Sequence, residues 1–134
     1  MSIVKTLSKI QADLKAPKGQ RNNFGKYNYR SAEDILEAVK PMTSKHGLIL
    51  TLSDEMTLIG DRIYVKATAR LTNGEQEVVT VAFAREEENK KGMDASQVTG
   101  AASSYARKYA LNGLFCIDDN KDSDATNDHG FFFF

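Results

Sequence analysis

The chain has 134 residues, 18 basic and 18 acidic side chains with no formal net charge, and 41 % hydrophobic residues. This describes one globular domain that can bury a core without a disulfide or metal staple, and it excludes both a disordered chain and a histone-like basic binder. Cys116 is the only cysteine, so no internal disulfide is possible. With no apolar run of signal-peptide or membrane-span length, a soluble intracellular protein is expected.

The charge is segregated. Residues 1–30 carry seven basic groups against Asp13 alone, whereas residues 118–134 carry five aspartates against Lys121. A basic front suits a polyanion surface, and the acidic end reads as a separate tail. The expected division is a single domain over 1–117 and a disordered tail over 118–134.

In chain order, Ile3, Leu7, Ile10 and Leu14 predict a helix over 2–15 with Ser2 as its N-cap. Residues 16–30 are broken by Pro17, Gly19 and Gly25 and read as a loop, though one rich in Arg, Lys, Phe and Tyr. Ser31 and Asp34 open a second helix as a short capping box, with Ile35, Leu36, Val39 and Met42 as its apolar face. Pro41 is a potential kink and Gly47 the stop. The period then changes to two. Leu48–Ser53, Ile63–Thr72 and Val78–Ala84 read as three strands.

Asn73-Gly74 predicts a two-residue hairpin turn that would pair Arg70 with Glu77 and Tyr64 with Phe83. The turn between Ser53 and Gly60 has no recognisable type. A charged loop over 85–92 precedes a third helix over 94–112, ended by Gly113. Its stripe is Val98, Ala102, Tyr105 and Tyr109. Seven of the eleven residues from Gly100 to Ala110 are Gly, Ala or Ser, a surface that can approach a neighbour closely. The predicted fold class is therefore α+β: helix, helix, three-stranded antiparallel meander, helix, with the helices on one sheet face.

Several groups of residues invite a functional reading. Asn23 to Arg30 interleaves cations with aromatics, as single-stranded nucleic acid requires: Lys26 and Arg30 for phosphates, Tyr27 and Tyr29 for stacking. The alternative is a loop that Phe24 and Tyr27 pin to the core. Arg107 and Lys108 form a basic pair on the third helix, with Arg107 opposite the apolar stripe and Lys108 to the side. The alternative is a solvated helix face. Arg62, Lys66 and Arg70 lie on the outward sheet face with Tyr64, where an Arg70–Glu77 ion pair would be ordinary surface chemistry.

Asp118, Asn120, Asp122 and Asp124 alternate like a calcium loop but lack its glycine and its final glutamate. Phe131–Phe134 read either as a docking peptide or as residues foreign to the chain. His46 and His129 fit no metal pattern, Cys116 reads as a small core residue, and no phosphate-binding Gly-rich loop is present. No enzyme activity, metal or cofactor is expected.

Two blocks carry a resemblance. One is Lys26-Tyr27-Asn28-Tyr29-Arg30-Ser31-Ala32-Glu33-Asp34-Ile35, followed by Lys45-His46-Gly47-Leu48. The other is Gly92 to Gly100 running into Ser103-Ser104-Tyr105-Ala106-Arg107-Lys108-Tyr109-Ala110-Leu111. Over residues 1–119 the chain resembles the Erf (essential recombination function) family of phage single-strand annealing proteins. The resemblance implies a β-β-β-α core and ATP-independent coating and annealing of single-stranded DNA during homologous recombination. It also implies self-assembly into rings or helical filaments in the bacterial host cytoplasm.

It further implies DNA contact by Arg107 and Lys108, and by Lys26, Tyr27, Tyr29 and Arg30. A single-strand-binding protein or a phage exonuclease becomes a candidate partner. The chain is shorter than typical members, with little beyond Asp119. Two other readings stay open: a passive single-strand binder, and an adaptor acting through the tail.

Overall fold

The computed structural model describes residues 2–86 and 95–117, with the side chains of 95–97 left aside. In order, its elements are α1 (Ile3–Asp13), β1 (Gln20–Asn22), β2 (Tyr27–Tyr29), α2 (Ala32–Lys45), β3 (Ile49–Ile59), β4 (Arg62–Thr72), β5 (Glu77–Arg85) and α3 (Ala95–Phe115). Most of the expected charged loop and the whole tail from 118, with its calcium-like alternation, His129 and Phe131–Phe134, lie outside the described residues.

The α+β class holds. β3, β4 and β5 form an antiparallel sheet with β4 in the centre. α3 lies on β4 and β5, with α1 beside it toward β5 and α2 toward β3. The other sheet face is open, exposing Ile49 and Val79.

The apolar stripe of α1 is buried as its spacing requires, with Ile3, Leu7 and Ile10 all at most 7 % exposed. Ser2 stands at the N-cap, but its side chain makes no capping bond. Its carbonyl instead accepts from the Thr6 amide and hydroxyl, both at 3.2 Å. Two tertiary bonds fix the helix. The Ile3 amide donates to Gln76 Oε1 at 2.9 Å, and Gln11 Nε2 donates to the Leu114 carbonyl at 2.9 Å.

Both ends of α2 follow from sequence. The capping box is complete: the Asp34 amide donates to Ser31 Oγ at 3.1 Å, and the Ser31 amide to Asp34 Oδ2 at 2.9 Å. The helix runs through Pro41. At its end the Leu48 amide reaches the Thr43 carbonyl at 2.9 Å and the Gly47 amide reaches Ser44 at 3.3 Å. That Schellman closure requires the left-handed conformation of Gly47, at φ +67°.

The sheet departs from expectation in two places. β3 does not stop at Ser53 but continues to Ile59, pairing with β4 over eleven residues to a tight turn at Gly60-Asp61. Gly60, at φ +64°, supplies the corner. Asp and Glu are poor strand formers, but here cations answer them: Asp54 meets Arg107, and Glu55 meets its cross-strand neighbour Lys66 at 3.8 Å.

The β4–β5 connection is four residues, not two, so Thr72 pairs with Glu77, Arg70 with Val79 and Tyr64 with Arg85. Asn73 Oδ1 accepts from the Glu75 and Gln76 amides at 2.9 and 2.7 Å, building an Asx-type loop around Gly74. A slip of two preserves which side chains share a face. Arg70 therefore still grips Glu77, diagonally, through Nε at 2.8 Å and Nη2 at 3.1 Å.

α3 also runs further than expected, through Gly113 to Phe115. Its last turn closes with the Ile117 amide on the Asn112 carbonyl at 3.0 Å. The left-handed residue there is Cys116, at φ +57°, and it is exposed rather than a core residue. Gly113 serves close approach instead: a Cβ on it would sit 2.9 Å from Thr80 Cγ2.

Gly to Ala in a helix interior ordinarily stabilises by about 1 kcal/mol. Gly113→Ala is expected to show no such gain in urea unfolding, because the added Cβ would press on Thr80, whose β-branched side chain is stiff at χ1. The same closeness runs along the layer. Ala102, Ala106 and Ala110 of α3, and Ala67, Ala69, Ala82 and Ala84 of the sheet, are all at most 4 % exposed.

Candidate nucleic-acid interface

Residues 16–30 are not a plain loop. β1 and β2 pair from Gln20–Tyr29 to Asn22–Tyr27, a small hairpin that carries most of the aromatic-basic block. Asn22 organises its tip: Oδ1 accepts from the Gly25 amide at 2.9 Å, and Nδ2 donates to the Tyr27 hydroxyl at 3.0 Å. A side chain at position 25 would collide with the Tyr27 ring. Lys26 takes a left-handed conformation, φ +56°, and is exposed. Phe24 is fully exposed at the tip, so it does not pin the hairpin to the core.

At the base of this hairpin the two sequence blocks converge. Tyr29 and Arg30 leave β2, Ser31 and Ala32 open α2, and Ala101, Ser104, Tyr105 and Lys108 come from α3. Together they line a cleft of about 450 Å³. Arg30 is 9 % exposed and donates from Nε to the Ala16 carbonyl at 2.6 Å. Lys108 is 4 % exposed, not a solvated side residue, with its ammonium 6.0 Å from the Tyr29 ring centre. That is cation–π range. The Tyr27 and Tyr29 rings lie 6.0 Å apart and tilted, and Tyr105 stacks on Tyr109 at 6.3 Å. Ordinarily a buried ammonium is retained only with compensating partners.

The remaining candidates do not join this cleft. Arg107 points to the sheet, donating from Nε to Asp54 Oδ1 at 3.0 Å, and Ser103 also donates to Asp54. Burial works to raise the Asp54 carboxyl, but the bonds from Arg107 and Ser103 and the Arg107 charge outweigh it and hold it below its usual value. Lys66 and Arg70 lie on the outer sheet face, each paired with a glutamate. Arg62, on that face, donates from Nη2 to the Glu86 carbonyl at 3.5 Å. The nine candidates thus divide between a hairpin-and-cleft surface, the Asp54 cluster and the far side of the sheet. Among the described residues no three metal-ligating side chains gather, and no helix is long and apolar enough to cross a membrane.

The sequence model of the ERF superfamily matches residues 3–130, the whole described fold included.

The chain belongs to the ERF superfamily.

A curated relative, the Essential recombination function protein of Salmonella phage P22, is 67 % identical over 123 residues. The match covers 92 % of this chain and 58 % of the relative, so the chain spans little more than half of that protein's length. No solved structure matches.

Within this ERF fold, sequence reasoning missed two contributors. Asp54 fell in the segment with no recognised turn, and Tyr105 was read only as part of the apolar stripe; it does pack against the core, and it also lines the cleft. Its spacing from Ala101 and Lys108 places it on the same helix face as both, which could have revealed it.

The Asp54 cluster has a pH signature. A depressed folded-state pKa stabilises the fold above the ordinary value of 3.8, and the contribution is lost as pH falls through the lowered value. Asp54→Asn is expected to cost about 0.2–1 kcal/mol at pH 7. It should also flatten the acid limb of stability below pH 4, measured by urea unfolding at a series of pH values.

Proposed function

We propose that this chain binds single-stranded DNA and anneals complementary strands during phage recombination. In this reading it works without ATP, makes or breaks no covalent bond, and acts as an oligomer. The observation that carries the reading is the convergence of Tyr29, Arg30 and Lys108 on one cleft, beside a hairpin presenting Lys26 and an exposed Phe24. Cations held at low dielectric attract phosphates strongly, and exposed rings stack bases without regard to sequence. ERF membership and the recombination name of the phage P22 relative support the same reading.

Annealing needs strands held extended with bases able to test a partner. The protein lowers the barrier to that encounter. Association of copies is supported by the β3–β4 ribbon, which outruns β5 and exposes Met56, Leu58, Ile59 and Ile63. Apolar surface of that kind marks interaction sites. A ring or filament would also gather the basic surfaces of a neutral chain into one track.

The test mixes two complementary dye-labelled strands with the protein, without ATP, over a salt series. Pairing should accelerate at low salt and the effect should fade as salt rises. Tight binding without faster pairing would leave a passive binder. No binding at low salt would reject the nucleic-acid reading.

A further inference from the structure

We propose that the acidic segment after α3, residues 118–128, docks on the lysine face of α1 in the same chain and gives up that face to the phosphates of a bound strand. The docking stands apart from the single-strand reading above; the displacement rests on it. α1 buries one stripe and leaves the rest of its surface uncovered. Val4, Lys5, Ser8, Lys9 and Ala12 are all exposed, and so is Lys15 just past the helix end. Among the described residues neither Lys5 nor Lys9 is in an ion pair with a carboxylate.

The place where the chain leaves α3 points to the occupant. The Leu114 carbonyl is held by Gln11 of α1 at 2.9 Å, Cys116 turns the chain, and Ile117 packs on the core. The acidic segment therefore starts beside α1. At about 100° per residue, Gln11, Val4, Ser8, Lys5 and Lys9 follow one another round the helix, and Lys5 lies about 9 Å along it from Gln11. An extended chain covers at most about 3.3–3.6 Å per residue, so Asp122 can stand up to about 17 Å from Ile117, within reach of both lysines. Charge fits as well. Residues 118–128 carry five aspartates against Lys121, and residues 1–18 carry Lys5, Lys9, Lys15 and Lys18 against Asp13. The segment has no apolar side chain larger than Ala125, so charge alone holds it. Exposed charge contacts are weak and screened by salt, which leaves this one open to displacement by a strand.

A zero-length carbodiimide joins carboxylates to amines in contact with them, and peptide mass spectrometry on the full chain at low salt reads which lysines are joined. Aspartates of 118–128 should couple to Lys5 and Lys9 but not to Lys45, which is also exposed but lies on α2, toward β3. Mixing light with heavy-isotope protein should give only same-isotope products. Saturating oligothymidylate should abolish the coupling. Asp118→Asn, Asp119→Asn, Asp122→Asn, Asp124→Asn and Asp128→Asn together should raise affinity for that strand about three- to ten-fold at low salt, a gain that fades as salt rises. No coupling, coupling shared with Lys45, or products joining light to heavy copies would overturn the docking and leave the single-strand reading standing. Coupling that persists under a bound strand, or affinity that the substitutions do not change, overturns the displacement. A chain that couples as expected but binds no strand keeps the docking and overturns the single-strand reading, the displacement with it.

Discussion

Lys108→Met is expected to lower affinity for single-stranded DNA by ten- to a hundred-fold. Lys108 is 4 % exposed within the cleft, and methionine replaces its length with an apolar chain that the site can hold. The fold should therefore survive. A hydrogen bond to a charged group contributes about 1.5–3 kcal/mol, which is the stated loss in affinity. Each phosphate contact on a single strand also adds about 0.7 to the slope of log affinity against log salt. The variant should lose close to that amount, by anisotropy titrations over a salt series. Arg70→Gln is the contrast: Arg70 is paired with Glu77 on the opposite sheet face, so affinity should change by less than about two-fold. A loss in Arg70→Gln with affinity kept in Lys108→Met would move the DNA track to the outer sheet face.

Ala106→Leu should be among the most destabilising single changes in the chain. Ala106 is fully buried where α3 meets the sheet, and the alanines around it leave no space for three more carbons. Leucine and alanine differ little in helix propensity, so the cost is one of packing. Overfilled cores lose about 1–3 kcal/mol, sometimes more. Val4→Leu serves as the control, because Val4 is 67 % exposed on α1 and should stay within about 0.5 kcal/mol. Urea unfolding midpoints report both. A stable Ala106→Leu would mean that α3 can lift from the sheet at little cost.

Much of the fold could be read from local chemistry. The four-three-four spacing of α1 and the Ser31–Asp34 box are contained within a few residues, so nothing distant could alter them. The Asn73 loop was misjudged because two turns compete for the same residues. The Asn-Gly pair favours a two-residue turn, but Asn73 Oδ1 accepting two amides selects four. Face assignments survived because the slip was even. The far half of β3 was hidden because its acidic residues are answered by Lys66 and by Arg107 from α3, 53 positions away from Asp54.

The candidate site was legible as two blocks but not as a place. Helical spacing gives the angle of Lys108 about α3. It cannot show that the β1–β2 hairpin and the start of α2 come to lie over that angle. That contact also buries Arg30, whose partner is the Ala16 carbonyl and not solvent.

The bond from Gln11 to the Leu114 carbonyl bears on how the chain matures during synthesis. Its two ends are 103 residues apart. At a ribosomal rate of about 5–20 residues per second, α1 waits roughly 5–20 s for α3 to emerge. Throughout that interval Ile3, Leu7 and Ile10 have no finished surface to cover them. A nascent chain stalled before α3 is therefore a natural client for chaperones and proteases, and the emergence of α3 is what releases α1 from that risk.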